Sequence, residues 1–304
     1  MVAITYFDVV LSDILRIKQI KHIARHFSFF YLGIAFMANE EEEEATSGEL
    51  IKAGVELVKT AYGDALQPVA KEAGKALGTL GKTVNVALSP IRGLVWGWEK
   101  IEEYLTQTVE KKLSDRKVSP DRVTTPDPDI AVPAIEALRY SKLRENYANL
   151  VATAMNADTA MDAHPAFVEV LKQLSLDEVL ILEYLPVVGR YEPMMDLGYS
   201  LAEKGEFITY RHVATIAADA KCKSLHSLPQ LIENLCRLGL TEIPPMRRLV
   251  DDWRYDRIRT LETFIQAKAS VPQGGQFTEG LALIGLTPLG ASFRDACVNK
   301  PDAA

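Results

Sequence analysis

Cysteine is scarce in this chain of 304 residues: Cys222, Cys236 and Cys297 are the only three, and none stands in a CxxC pair. An odd, scattered set argues against a zinc ribbon and against a disulfide framework, and reads as buried thiols in a reducing compartment. Long apolar runs are missing as well. The nearest candidate, Phe27 to Met37, is too short for the roughly 20 residues that a spanning helix needs. Positive charge is in deficit, with 34 Lys and Arg against 41 Asp and Glu, a net charge of −7. A chain of that sign is a poor starting point for non-specific nucleic-acid binding, which depends on clustered cations. Catalytic signatures are also absent: there is no G-x-S-x-G elbow, no H-E-x-x-H, no phosphate loop, and no kinase or deaminase set. No catalytic, cofactor-binding or metal-binding residue is therefore assigned, and the expectation is a protein that is not an enzyme and carries no cofactor.

What is present is an ordinary globular composition, 48% hydrophobic and 25% charged, at a length that allows two domains. The first stretch differs from the rest. It is basic (Arg16, Lys18, Lys21, Arg25), rich in Ile and Phe, and gives way to Met37-Ala-Asn and the acidic run Glu40 to Glu44. Met37 is therefore a candidate native start, which would make residues 1–36 an upstream extension. The rival reading is an amphipathic anchor, since Ile14, Ile17, Ile20, Ile23, Phe27 and Phe30 recur at helical spacing.

From there the pattern is mainly helical. The reading divides the chain into an extension (1–45), Gly/Ala-rich amphipathic helices (46–118), a central helical segment (119–174), a winged-helix-like domain with a small β-wing (175–298) and a tail (299–304). Thr46 to Glu49 forms a capping box. Apolar residues from Leu66 to Leu88 step by three or four, and Ser89-Pro90 is expected to end that helix. A further helix carries Ile91, Leu94, Trp98, Ile101, Leu105, Val109 and Leu113. Residues 114–128, with Pro120, Pro126 and Pro128, read as a linker and a boundary. One central helix carries Ile135, Leu138, Leu143, Tyr147, Leu150 and Ala154. His164-Pro165 opens a short helix, and Ser175 to Glu178 is a second capping box. In the last third, helices are expected at 207–220 and 227–238, strands at 239–243 and 281–290, and a closing helix through Cys297.

Two groups stand out as interaction candidates. Gly74, Gly78 and Gly81 permit close helix approach, and Lys71, Lys75 and Lys82 share another face, with Trp96 and Trp98 nearby. This group reads either as a close-packed helical hairpin or as a membrane-contacting segment. The second group is Arg247, Arg248, Trp253, Arg254 and Arg257, interleaved with Asp251, Asp252 and Asp256. Such alternation usually makes a solvated, salt-bridged surface. It favours a protein partner over nucleic acid, as does the candidate recognition helix 227–238, which has one Arg and one Glu. His164 beside Asp158 and Asp162 lacks the further ligands that a metal needs. Asp127 and Asp129, flanked by prolines, read as turn and cap residues rather than as an acid–base pair.

The stretches Pro126 to Tyr140, Leu143 to Leu150 and Ala163 to Ser175 together resemble the Abi-alpha proteins, a bacterial family named for abortive phage infection. The resemblance covers roughly residues 50–295 and is most specific from Pro126 to Ser175. It implies a bacterial cytoplasmic protein linked to phage defence, and it carries no catalytic residues. Together with the residue patterns, it yields the expectation of a non-enzymatic abortive-infection effector. Its partner would be a phage or host protein, and its Gly/Lys helices would associate peripherally with the inner membrane. The alternative is a winged-helix adaptor or DNA-binding regulator.

Overall fold

The structure is a computed structural model, and it describes residues 80–298. Among them the chain is mainly helical, with one four-stranded antiparallel sheet. The helices are α1 (Leu80–Arg92), α2 (Glu102–Asp115), α3 (Pro128–Leu138), α4 (Arg144–Met155), α5 (Ala166–Lys172), α6 (Leu176–Tyr184), α7 (Ile216–Asp219), α8 (Leu228–Arg237), α9 (Asp256–Arg259), α10 (Glu262–Ala269) and α11 (Pro288–Cys297). The strands are β1 (Glu192–Leu201), β2 (Gly205–Val213), β3 (Thr241–Glu242) and β4 (Gly275–Leu286), in the order β2-β1-β4-β3.

Local signals explain most helix starts. Asp127 accepts from the Asp129 amide at 2.9 Å and Pro128 occupies the first turn of α3, where its missing N–H is harmless. The His164 ring nitrogen Nδ1 accepts from the Ala166 amide at 3.1 Å, so this side chain serves the start of α5. Ser175 and Glu178 form a reciprocal capping box at α6. Thr287 accepts from the Gly290 amide and caps α11.

Helix α4 is the axis of the helical part. Every residue from Asn146 to Met155 is buried, with α2, α3, α5 and α11 packed around it. A helix enclosed on all sides has no solvated face for its polar residues, so these must find partners inside. Asn146 and Asn149 donate to the Cys297 carbonyl at 3.0 and 3.1 Å, and Thr153 donates to the Ala296 carbonyl at 2.9 Å. These bonds satisfy the open C-terminal carbonyls of α11 and tie the end of the described chain to its middle.

Several expectations are corrected. Ser89-Pro90 does not end a helix: α1 continues to Arg92, because Ile91 is buried in the core and only the last turn lies beyond the proline. The expected helix through Ile91 and Leu113 is broken at 93–101, where Gly97 takes φ 66° and a short 3-10 turn intervenes before α2. The single central helix is two, α3 and α4, separated at 139–143. Arg144 donates to the carbonyls of Leu138 and Arg139 and closes the end of α3. Residues 207–213 are strand β2 rather than helix, and only α7 follows in the span expected to run to 220. Strand β1 falls where no element is expected, and β4 is longer than expected.

The turn-rich segment after α2 is also packed. The Thr124 amide donates to Met155, the Ala157 amide donates to Arg122, and Val123 is buried. One apolar core passes from α1 across this segment and on through α6, α7, α8 and α11, so neither 118/119 nor 174/175 divides it. A second, smaller cluster lies on the sheet: Met195, Leu197 and Val213 against Tyr255, Ile258, Phe264 and Ala267.

Candidate interaction surface

The second cluster belongs to an excursion between β3 and β4, residues 243–274. Pro244 and Pro245 cannot donate to a ladder, so the chain leaves the sheet after Glu242. It is then anchored by one ring. Tyr255 is fully buried, and its hydroxyl accepts from the Leu249 amide at 3.0 Å and donates to the Ala282 carbonyl of β4 at 3.2 Å. Phe264 meets Phe277 of β4 edge to face at 5.4 Å.

Two arginines pin the excursion from outside. Arg259 bonds Asp252 (2.9 Å), Asp256 (2.9 Å) and Glu279 of β4 (3.0 Å). Arg257 bonds both carboxylate oxygens of Asp219 in α7, at 2.7 and 3.0 Å. Asp219 also accepts from Thr215 (2.8 Å) and Tyr184 (3.4 Å). The Arg257 guanidinium holds the Asp219 carboxyl below its ordinary range. Nearby Glu192 moves the other way, because burial disfavours its charged form.

Between Pro245 and Trp253 most side chains face outward. Met246 is fully exposed, Val250 is 99% exposed and Trp253 is 69% exposed. Arg247 and Arg248 lie between Met246 and Val250, both exposed. Arg247 lies against Tyr191, whose hydroxyl donates to Glu242 at 2.8 Å. The Tyr191 ring in turn lies on Gly285, where a Cβ would come within 2.6 Å of Cδ1; only glycine admits that approach. The result is three exposed apolar side chains on one anchored segment, interspersed with cations along the chain. Exposed apolar patches of this kind with a polar rim mark interaction sites, and Trp and Arg dominate their energetics.

Of the expected interaction residues, the structure brings Arg247, Arg248, Trp253, Arg254 and Arg257 onto one segment but gives them different work. Arg257 is a clamp, Arg254 is half-buried near Glu192, Arg247 bonds Tyr191, and Trp253 and Arg248 are exposed. The sequence pattern does not single out Met246, Val250 and Asp219. The Pro244-Pro245 pair followed by Met and Val in a charged segment was a usable signal for the first two. The clamps depend on pairing with distant α7 and β4 and left no local mark.

In the other group, Gly74, Gly78, Lys71 and Lys75 lie outside the described residues. Gly81 faces α2, where a Cβ would sit 2.7 Å from the Glu110 carboxylate, and Lys82 is exposed. Trp98 is 5% exposed and belongs to the core, with the Arg92 guanidinium 5.8 Å from its ring, whereas Trp96 is 82% exposed. Among the described residues no helix is long and apolar enough to cross a membrane, and no cluster of three or more His, Cys, Asp or Glu is placed to hold a metal. The three cysteines are free thiols; burial pushes Cys222 up to about 11 and Cys297 well above its ordinary value.

No curated protein and no solved structure matches the chain. The family Abortive infection alpha matches residues 97–297, from the turn before α2 to the end of α11. That span takes in the α4 axis, the sheet and the anchored excursion, and the chain belongs to the Abortive infection alpha (Abi-alpha) family.

Proposed function

We propose that this chain is a non-enzymatic, cytoplasmic abortive-infection protein that recognises a phage or host protein through the 244–254 surface. The observation that carries the reading is the exposure of Met246, Val250 and Trp253 on a segment immobilised by Tyr255, Arg257 and Arg259. A segment held this firmly keeps its apolar side chains in water at a standing cost unless something covers them. Arg247 and Arg248 make no ion pair among the described residues, so the complementary partner is a protein segment with apolar side chains flanked by carboxylates.

A winged-helix-like reading of residues 175–298 is supported by chain order: α6, β1, α7, α8, β3, β4, with β1, β4 and β3 adjacent in the sheet. Strand β2 and the excursion at 243–274 are additions to that plan. A protein partner is favoured over DNA because Asp251, Asp252 and Asp256 accompany the arginines, and α8 exposes few cations. The helices of the membrane reading lie mostly outside the described residues, and Trp98 is enclosed, so the proposal rests on the protein-binding face.

The test is phage plaquing efficiency and host survival in bacteria carrying the wild-type chain or the double variant Val250→Asp, Trp253→Ala. The expected result is protection by the wild type and its loss in a variant that still folds. Losing a central Trp typically costs a complex about 2 kcal/mol or more, roughly thirtyfold in affinity. Undiminished protection by the double variant would overturn the reading.

A further inference from the structure

A cleft of about 320 Å³ opens between α2 and α4, lined among others by Gln107, Thr108, Lys111, Arg116, Glu145 and Asn149. It is remote in the chain from the excursion and uses none of its residues. We propose that this cleft is a binding site for a small oxyanion, a phosphate group free or carried on a small ester, with Arg116 and Lys111 as its principal donors.

The argument begins with charge. Three cations (Lys111, Lys112, Arg116) and two carboxylates (Asp115, Glu145) line the cleft, a net charge of +1. These charges are not evenly matched. Glu145 is already served by Lys112 at 2.8 Å and by the Tyr104 hydroxyl at 3.0 Å. Lys111 makes no ion pair among the described residues, and neither does Arg116. Arg116 is only half-exposed, and its guanidinium meets neutral oxygens alone: Thr153 Oγ1 at 2.9 Å and Asn149 Oδ1 at 3.5 Å. Burial pulls its pKa down. A partly desolvated guanidinium that has no carboxylate is an arrangement that proteins normally complete with an anion.

The C-terminal end of α11 does not complete it. The Ala296 and Cys297 carbonyls that carry that helix's negative end are taken by Thr153, Asn146 and Asn149. Arg116 bonds the side chains behind them, and no unpartnered buried nitrogen is found on it. Arg116 itself lines the cleft. The fork of the guanidinium, the Lys111 ammonium and the second N–H of the Gln107 amide, whose other N–H is held by Glu103 at 3.2 Å, supply more donors than one carboxylate can use. A tetrahedral oxyanion has acceptors for them. The volume is at the small end of ligand sites, which limits the ester to a compact one. Because Asn149 and Thr153, which Arg116 bonds, also hold the end of α11, occupancy would strengthen the joint between α2, α4 and α11.

The experiment is calorimetric titration of the full chain with inorganic phosphate and, separately, with glycerol 3-phosphate, at constant ionic strength maintained with chloride. Saturable one-site binding is expected. Lys111→Gln should weaken it about tenfold, and Arg116→Gln should abolish it. Lys100→Gln, a cation outside the cleft, should leave it unchanged. Tighter binding of the ester than of phosphate would identify a phosphorylated metabolite as the ligand, and the reverse would identify the free ion. Absence of saturable binding to the wild type, or equal affinity in Lys111→Gln and the wild type, would overturn the proposal. Lys111 is exposed and supports no packing, so the test stands even if Arg116→Gln fails to fold. Loss of phage protection plays no part in the readout, which keeps this site separable from the 244–254 surface.

Discussion

Helix α4 and the excursion at 243–274 treat polar and apolar residues in opposite ways. In α4, Asn146, Asn149 and Thr153 are buried and bonded to the end of α11. In the excursion, Met246, Val250 and Trp253 are apolar and in solvent, while the polar side chains do the anchoring. The difference follows from how each is enclosed. A helix surrounded by other helices must satisfy every polar atom internally. A segment laid over one face of a sheet can bury only the side it rests on, and Tyr255, Ile258 and Phe264 use that side. What remains outside meets solvent.

The comparison can be broken most directly by truncating one side chain in each region. Leu150→Ala in α4 should cost about 2–5 kcal/mol, lowering the denaturant midpoint of the whole described fold. Val250→Ser should change the same midpoint by less than about 0.5 kcal/mol. Similar losses at the two positions would mean that Val250 is packed after all.

Asn149→Ala tests whether the buried polar residues of α4 matter as bonds. It removes one of two donors to the Cys297 carbonyl and one acceptor of Arg116. A loss of about 1–3 kcal/mol is expected, with faster amide exchange along α11.

Arg259→Ala should act more locally. Three carboxylates lose their shared cation, and a loss of about 1 kcal/mol is expected for a largely surface network. Hydrogen exchange should quicken in α9 and α10 and stay unchanged in α4. Equal quickening in α4 would show that the excursion and the α4 core unfold as one unit.

The smallest effects are those of pH, and they have opposite signs. Asp219 is held below its ordinary value of 3.8 by Arg257, so its stabilising contribution is present above that value and is lost as pH falls through the lowered folded-state pKa. Asp219→Asn should therefore destabilise the protein at pH 7, and the gap to the wild type should close in acid. Glu192 is raised above 4.5 by burial, so stability is greatest below the unfolded value and declines as pH rises through the raised one. Glu192→Gln should be slightly stabilising at pH 7, by less than about 1 kcal/mol, and neutral in acid. Thermal melts of both variants across pH 3–8 check the pair; a shift of the same sign in both would contradict the assigned causes.

Much of the helical layer was legible residue by residue. Asp127-Pro128, His164-Pro165, and Ser175 with Glu178 act within a single turn, and each starts a helix where the sequence places it. Local bonding needs no knowledge of the rest of the chain. The misread parts share the opposite property. Phe207 to Val213 carries β-branched and aromatic residues that also satisfy a helical spacing, and the pairing with β1 decided between them. The break at 139–143 depends on Arg144 reaching back to α3. The persistence of α1 past Pro90 depends on a buried place for Ile91.

The candidate sites divide along the same line. The sequence alone determined that Arg and Trp cluster near 247–257, that the chain is acidic and mainly helical, and that it resembles a phage-defence family. Composition and short-range pattern carry that information without a fold. Which arginines are clamps to distant carboxylates was decided only by the tertiary structure, because Asp219 and Glu279 reach them from other elements. The half-buried Arg116, with neutral partners from α4 and no carboxylate, was likewise visible only once α2, α4 and α11 had come together. An ion pair, or its absence, is a property of distance in space, and the sequence encodes it only through the whole fold.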